Sequence, residues 1–265
     1  MTERLDPASF RWPDSLPVTG MRDMVNRVRA DAKFRWPPRR AYYRYRALKK
    51  ARRNNPELNL IPYLMRRGSV ALDIGANLGL VTHFLAPRAG HVFAFEPNPE
   101  PLRILPHVVA ANVTVLPIAI SDRNGTADLR ISRSTSGWTS NGATLEASAR
   151  TPFELTVDVR RIDDLDVGDV GFIKVDVEGH EQAVLAGARE TIARCRPVVM
   201  LEIERSHLGD AAADNLKRLS DLGYRTYALL DGALASADRF SFEAHQDMAK
   251  RGTPAYVQNF FFLPE

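Results

Sequence analysis

The rhythm of apolar and polar positions changes near residue 69. From there, short apolar runs alternate with stretches whose apolar residues recur every three or four positions. "SVALDI" reads as a strand and 78–86 as a helix; "HVFAFE" is a strand, 100–110 a helix, and "VTVLPIAI" a strand. A polar stretch with two more strands, "TADLRIS" and "ELTVDVR", follows. The alternation then resumes with "VGFIKVD", a helix over 180–194, "PVVMLEI", a helix near 210–222, "YRTYAL" and "AYVQNFFFL". Strands and helices alternating at this length predict βαβ units. The near-continuous apolar character of the strands predicts a parallel sheet buried on both faces.

Upstream of residue 69 the pattern is different. Residues 1–20 carry Pro7, Pro13 and Pro17 with little periodicity and predict an arm that lies on the surface or is partly unstructured. Helical spacing covers 21–35 and 38–53, interrupted by "WPP", and "PELNLIPYLMRRG" predicts a short helix capped by Gly68. The chain therefore divides into a basic N-terminal helical extension, 1–60, and an α/β domain, 61–265.

Composition sharpens this division. Residues 1–60 hold 15 Lys/Arg against 6 Asp/Glu, a balance of +9, whereas 61–265 hold 21 against 26, a balance of −5. The overall +4 thus belongs to the extension and gives the α/β part no nucleic-acid-binding character. No apolar run approaches the roughly 18 residues of a membrane-spanning helix. The N-terminal residues lack the apolar core of a secretory signal. The single cysteine, Cys195, rules out an internal disulfide and fits a reducing cytoplasm.

Candidate chemistry begins at "LDIGANLG". In an open parallel sheet, ligands bind at the carboxyl ends of the strands. There Asp73 ends a strand, and Gly75 and Gly79 allow a tight turn and close approach of a ligand. Glu96, ending the next strand in "FAFEPNP" ahead of Asn98, stands 23 residues further on, a spacing at which a carboxylate can take the two hydroxyls of a ribose. Asn77 stands where the dinucleotide fingerprint needs its second glycine, so a pyrophosphate is disfavoured. An acid at the strand tip suits a positive group instead. A nucleoside joined to an amino acid, as in S-adenosylmethionine, satisfies both carboxylates; the bland alternative is a strand–turn–helix corner with no ligand. Ser121 and Asp122, in "AISDRNG", would sit beside the adenine, or form an ordinary surface turn.

Four blocks in order, "LDIGANLGL", "VFAFEPNPE", "LPIAISDRNGTADL" and "DDLDVGDVGFIKVDVEGHEQAVLAGA", resemble the FkbM family of S-adenosylmethionine-dependent methyltransferases over about residues 69–205. The resemblance implies a Rossmann-like class I methyltransferase fold, with a seven-stranded sheet carrying one antiparallel strand and helices on both faces. It also implies methyl transfer to an oxygen, commonly on sugars, glycolipids or natural products. On that basis Asp73, Gly75, Asn77 and Gly79 would form the cofactor loop, Glu96 would hold the ribose, Ser121 and Asp122 would flank the adenine, and Asp176 and Glu178 would face both methyl group and acceptor.

A hydroxyl is a weak nucleophile unless its proton is removed during attack, by a base within reach or by a metal ion. "KVDVEGHEQAV" offers Asp176 and Glu178, two apart and on one side if the strand continues, and His180 near the next helix. His180 is the expected base because its ordinary pKa lies near neutrality; the alternative is a capping or packing role. Glu202 and Glu204 on the following strand would grip sugar hydroxyls or join Asp176 around Mg²⁺, with His207 on the same rim. Trp138, in a polar loop, would stack on a sugar ring or pack on the body.

The basic segment 21–53 has three readings: an amphipathic helix packed on the core, a lid over the acceptor pocket, or a contact with nucleic acid or, through 38–53, with anionic lipid. The functional expectation is O-methylation of a small-molecule or oligosaccharide acceptor. A polyketide hydroxyl or carboxylate as acceptor, and a non-catalytic nucleotide- or nucleic-acid-binding module, are the alternatives.

Overall fold

The computed structural model describes residues 2–18, 20, 21, 24, 25, 27–29, 32, 39–134, 137, 138, 143–146, 153–205, 209 and 211–265. His207 lies outside these, as does much of the predicted 21–35 helix.

Strands β1 (Val70–Ile74), β2 (His91–Phe95) and β3 (Val113–Leu116) open the sheet. Short strands β4 (Ala119–Ile120), β5 (Gly125–Ile131), β6 (Arg133–Ser134), β7 (Gly137–Trp138) and β8 (Phe153–Arg160) follow. The sheet is completed by β9 (Val170–Val175), β10 (Val198–Glu202), β11 (Tyr224–Leu230), β12 (Ala233–Ser236) and β13 (Asn259–Pro264). Its order is β12-β11-β13-β10-β9-β1-β2-β3. The five strands β3, β2, β1, β9 and β10 are mutually parallel, and β13 runs antiparallel between β10 and β11. This is the expected seven-stranded arrangement with one reversed strand. The eighth strand, β12, extends the edge through Asp231-Gly232, both at positive φ as a two-residue hairpin demands. The "TADLRIS" and "ELTVDVR" segments form a separate antiparallel pair, β5 with β8, joined by β4.

Residues alternate between the two faces of each strand. Leu72, Ile173 and Leu201 point into one core with Val184, Leu185 and Ile192 of the helices Glu181–Ala186 and Arg189–Cys195. Ala71, Phe172, Met200 and Phe261 point the other way, onto Ala47 and Ala51 of the helix Arg39–Arg53 and onto Leu58 and Ile61. The N-terminal arm is pinned: Glu3 bridges to Leu165, and Phe10 and Leu16 are buried in the core clusters.

Three predicted helices are broken. The 100–110 segment splits into Pro99–Leu102 and Leu105–Val108; Pro106 has no N–H and its ring would clash with the preceding turn. The 180–194 segment parts at Gly187, where an added Cβ would stand 1.9 Å from the Ser121 carbonyl oxygen. The segment before β1 stops at Leu64, with Met65 already extended, so Gly68 is a turn residue ahead of β1 and not the helix cap. Among the described residues no helix is long and apolar enough to cross a membrane.

Candidate active site

Beneath the helix Arg39–Arg53, at the carboxyl ends of β1, β2, β9 and β10, lies a cavity of about 1000 Å³, within the range of small-molecule sites. Its floor follows in part from the two-residue period. Asp73 shares a face with Ala71, Lys174 with Phe172 and Glu202 with Met200, and Asp176 and Glu204, just past the ends of β9 and β10, line the same cavity.

The loop after β1 is shaped by close approach. Gly75 and Gly79 have φ near +77°, and a Cβ on Gly75 would lie 1.8 Å from the Asp176 backbone oxygen. Asn77 is left-handed too, at φ 50. Its amide donates to one Glu96 oxygen (2.6 Å), and the Asn98 amide donates to the other (2.8 Å). Asn98 itself is fully buried and caps the Pro99–Leu102 turn through Glu100 N–H. It positions Glu96 and does not line the cavity.

Burial raises both tip carboxyls. Glu96 is pushed up to about 7, with the two amides opposing the shift. Asp73 is pushed up to about 6, against a hydrogen bond from Thr82 and the charge of Lys174. Beside them the Tyr43 hydroxyl is buried with no hydrogen-bond partner among the described residues, close to Gly79. Burial, helped by the Asp73 charge, raises its pKa. Two carboxylates and an orphaned hydroxyl at one end of the cavity suit a ligand with vicinal hydroxyls and an ammonium group. The cavity also has an apolar lining, from Phe95, Ile118, Ile120, Leu129, Leu145 and Val177, which suits a ring. The donor set therefore fits S-adenosylmethionine.

Ser121 and Asp122 do not line the cavity. Ser121 is fully buried and bonded to His180 Nε2 (2.8 Å), and Asp122 is turned out beside Arg123. Ile120 of β4 and Leu129 of β5 line the cavity instead.

His180, the expected base, lies on the cavity wall between two partners. Its Nδ1 is 2.7 Å from Glu146 Oε1 and its Nε2 is taken by Ser121, so both ring nitrogens are occupied. It closes one side of the cavity and ties the 143–146 segment to β4's end. A base with no vacant nitrogen is poorly placed to receive a proton from an acceptor. Glu178 lines the cavity, but β9 ends at Val175 and Glu178 is left-handed at φ 53, so the strand alternation that would pair it with Asp176 does not reach it.

Asp176 is open to the cavity and shares a hydrogen bond with Glu202. Burial is the largest influence on Asp176 and raises it, but the charge of Lys174, 3.6 Å away, the hydrogen bond with Glu202 and the charge of Lys50 together hold the carboxyl below its usual range. Burial and the Asp176 charge drive Glu202 well above its usual range. Gln258 donates to Glu202. Lys174 is 2% exposed and was given no role in the sequence reading; a lysine inside the otherwise apolar run "VGFIKV" was the signal. Glu204 lines the cavity with its oxygens on Arg251, at 3.0 and 3.4 Å. Among the described residues no group of three His, Cys, Asp or Glu could hold a metal ion. With Lys174 on Asp176 and Arg251 on Glu204, the acidic rim does not fit Mg²⁺. Trp138 pairs through its backbone with Arg133; the stacking role expected of its ring lies outside what is described.

The strand order is the one expected of a Rossmann-like methyltransferase sheet, and acids from successive strand tips face one cavity. Residues 73–226 match the methyltransferase FkbM domain, and the chain belongs to that family. It is 32% identical over 157 residues to the hexuronic acid methyltransferase AglP of Haloferax volcanii, covering 57% of this chain and 62% of that one. It is 28% identical over 156 residues to the 2-O-methyltransferase NoeI of Sinorhizobium fredii, covering 52% and 64%. The match therefore spans less than two thirds of either relative. A solved methyltransferase FkbM from Methylobacillus flagellatus aligns over 91% of this chain and 59% of that one at 17% identity and TM-score 0.47, which adds nothing to the family assignment.

Proposed function

We propose that the protein transfers a methyl group from S-adenosylmethionine to a hydroxyl of a sugar or glycoside-bearing acceptor. The observation that carries this reading is the set of carboxylates at the tips of β1, β2 and β9, Asp73, Glu96 and Asp176, facing one cavity. The two named relatives, a hexuronic acid methyltransferase and a 2-O-methyltransferase, support a sugar-type acceptor. Membership of a methyltransferase family weighs against a non-catalytic binding module.

When bound, the cofactor supplies an electrophilic methyl on a sulfonium. The chain's own residues do the rest. Glu96 accepts from ribose hydroxyls while its two backbone amides hold it in place. Asp73 and Tyr43 receive the amino-acid end, and Gly75 and Gly79 let the backbone come close. Asp176 accepts the hydrogen bond of the acceptor hydroxyl, aims its oxygen and takes its proton as the new bond forms. Lys174 and Lys50 favour the ionised form of Asp176 for that task, and the hydrogen bond with Glu202 fixes its orientation.

Calorimetry with S-adenosylhomocysteine tests the cofactor assignment. Micromolar binding by the wild type, lost in the Asp73→Asn/Glu96→Gln double variant, is expected; equal affinity in both would overturn it. A screen of sugars with labelled S-adenosylmethionine, read by mass spectrometry, then identifies the acceptor oxygen.

A further inference from the structure

One helix lies over the whole site, and its two faces differ. Tyr43, Ala47 and Ala51 are buried. Arg46, Lys49, Lys50 and Arg53, spaced three and four apart, form a second stripe that lines the cavity. Seven residues of helix span about 10 Å, so the four cations form a ridge and not a point. Tyr43, on the first turns, stands at Gly79, while Asn54, just past the helix, reaches Gly252 beside Arg251. The ridge therefore leads away from the proposed cofactor end and over Asp176, whose carboxyl feels the Lys50 charge.

The other cations of this rim are matched, Lys174 with Asp176 and Arg251 with Glu204. Among the described residues neither Lys50 nor Arg53 has a carboxylate within ion-pairing distance, and Lys49 lies over the Tyr45 ring. Lys50, Arg52 and Arg53 in the last turn complement the helix dipole. That effect is the same in any direction around the axis and does not explain why the stripe at 46, 49, 50 and 53 faces the cavity. Nor does it suit a neutral sugar, which needs paired donors and acceptors and not a row of cations.

We infer that Lys50 and Arg53, flanked by Arg46 and Lys49, form a subsite for a compact oxyanion on the acceptor, a phosphate or a carboxylate attached to the sugar. This rests on the proposed methyl transfer and extends it: the anion docks on the ridge while the hydroxyl to be methylated reaches Asp176. The ridge also offsets the repulsion an anionic acceptor would meet from Asp176.

Protein saturated with S-adenosylhomocysteine is titrated calorimetrically with glucose, glucuronate and glucose 1-phosphate at low salt. At least one anionic sugar is expected to bind about tenfold or more tightly than glucose, the preferred one showing whether carboxylate or phosphate is the natural group. Lys50→Gln/Arg53→Gln is expected to abolish the preference while leaving S-adenosylhomocysteine affinity within about threefold. Binding of all three sugars alike, no binding of either anionic sugar, or a preference that survives in the double variant would overturn the subsite. Loss of S-adenosylhomocysteine binding in the wild type would instead strike the methyl-transfer reading, and titration of the unliganded protein would still measure the anion subsite.

Discussion

The floor and roof of the cavity are built in opposite ways. On the floor, Asp73 and Glu96 are short acids at strand tips, almost wholly buried and held by Thr82 and by backbone amides. On the roof, Arg46, Lys49, Lys50 and Arg53 are long, exposed side chains on one helix. The floor is preorganised: its groups lose little freedom on binding and their desolvation has already raised their pKa values. The roof must be ordered by what it binds, at a cost of up to about 2 kcal/mol of rotamer entropy per long side chain. A rigid floor suits a ligand that never changes, and an adaptable roof suits the partner that distinguishes one family member from another.

This contrast can be broken from the floor first. Asp176→Asn should lower turnover roughly 100- to 10,000-fold while S-adenosylhomocysteine affinity, measured by calorimetry, stays within a few-fold; near-full turnover would move the base elsewhere. Glu96→Gln should weaken cofactor binding by about 1.5–3 kcal/mol, the worth of hydrogen bonds to a charged group. Gly75→Ala should cost on the order of 1–3 kcal/mol of stability in denaturant titration, because its Cβ meets the Asp176 carbonyl and its φ is left-handed.

Smaller effects sharpen the picture. S-adenosylhomocysteine affinity should rise with pH through about 6 and 7, then level off, since Asp73 and Glu96 are held protonated near those values and binding favours their ionised forms. The same shifts make the unliganded fold lose stability as pH rises from about 4, the ordinary carboxyl value, to about 7. Chemical denaturation across that range with and without ligand checks both signs. His180→Ala should cost about 1–3 kcal/mol by removing the buried bond to Ser121, whose hydroxyl keeps Asp122 as a partner, and the bond to Glu146. It should leave the pH dependence of turnover unchanged, which a catalytic histidine would not.

Much of the floor was legible in the chain. "LDIGANLG" and "FAFEPNP" locate Asp73, the glycine turn and Glu96, because an apolar strand that ends abruptly in an acid has few other uses. Asp176 followed from its place at the next strand tip. The two-residue period also put Glu202 and Glu204 on one face. The same period misled at Glu178, where the strand had already ended, and local spacing could not tell that Ser121 turns away from the cavity lining onto His180. The helix 38–53 was readable as amphipathic, yet its three readings could not be separated. Its apolar face packs on the core as one of them required, and its basic face lines the cavity as another did.

The sequence by itself determined the periodicities: which segments are strands, which residues end them, and which side chains share a face. Those follow from local sterics and from burial, which each segment carries within itself. Only the tertiary structure decided who meets whom across long separations. It closed His180 between Ser121 and Glu146, placed Lys174 against Asp176, and turned a basic helix inward over the acids. Hydrogen bonding and charge coupling act over a few ångströms in space, and no spacing along the chain encodes which distant groups the fold will bring that close.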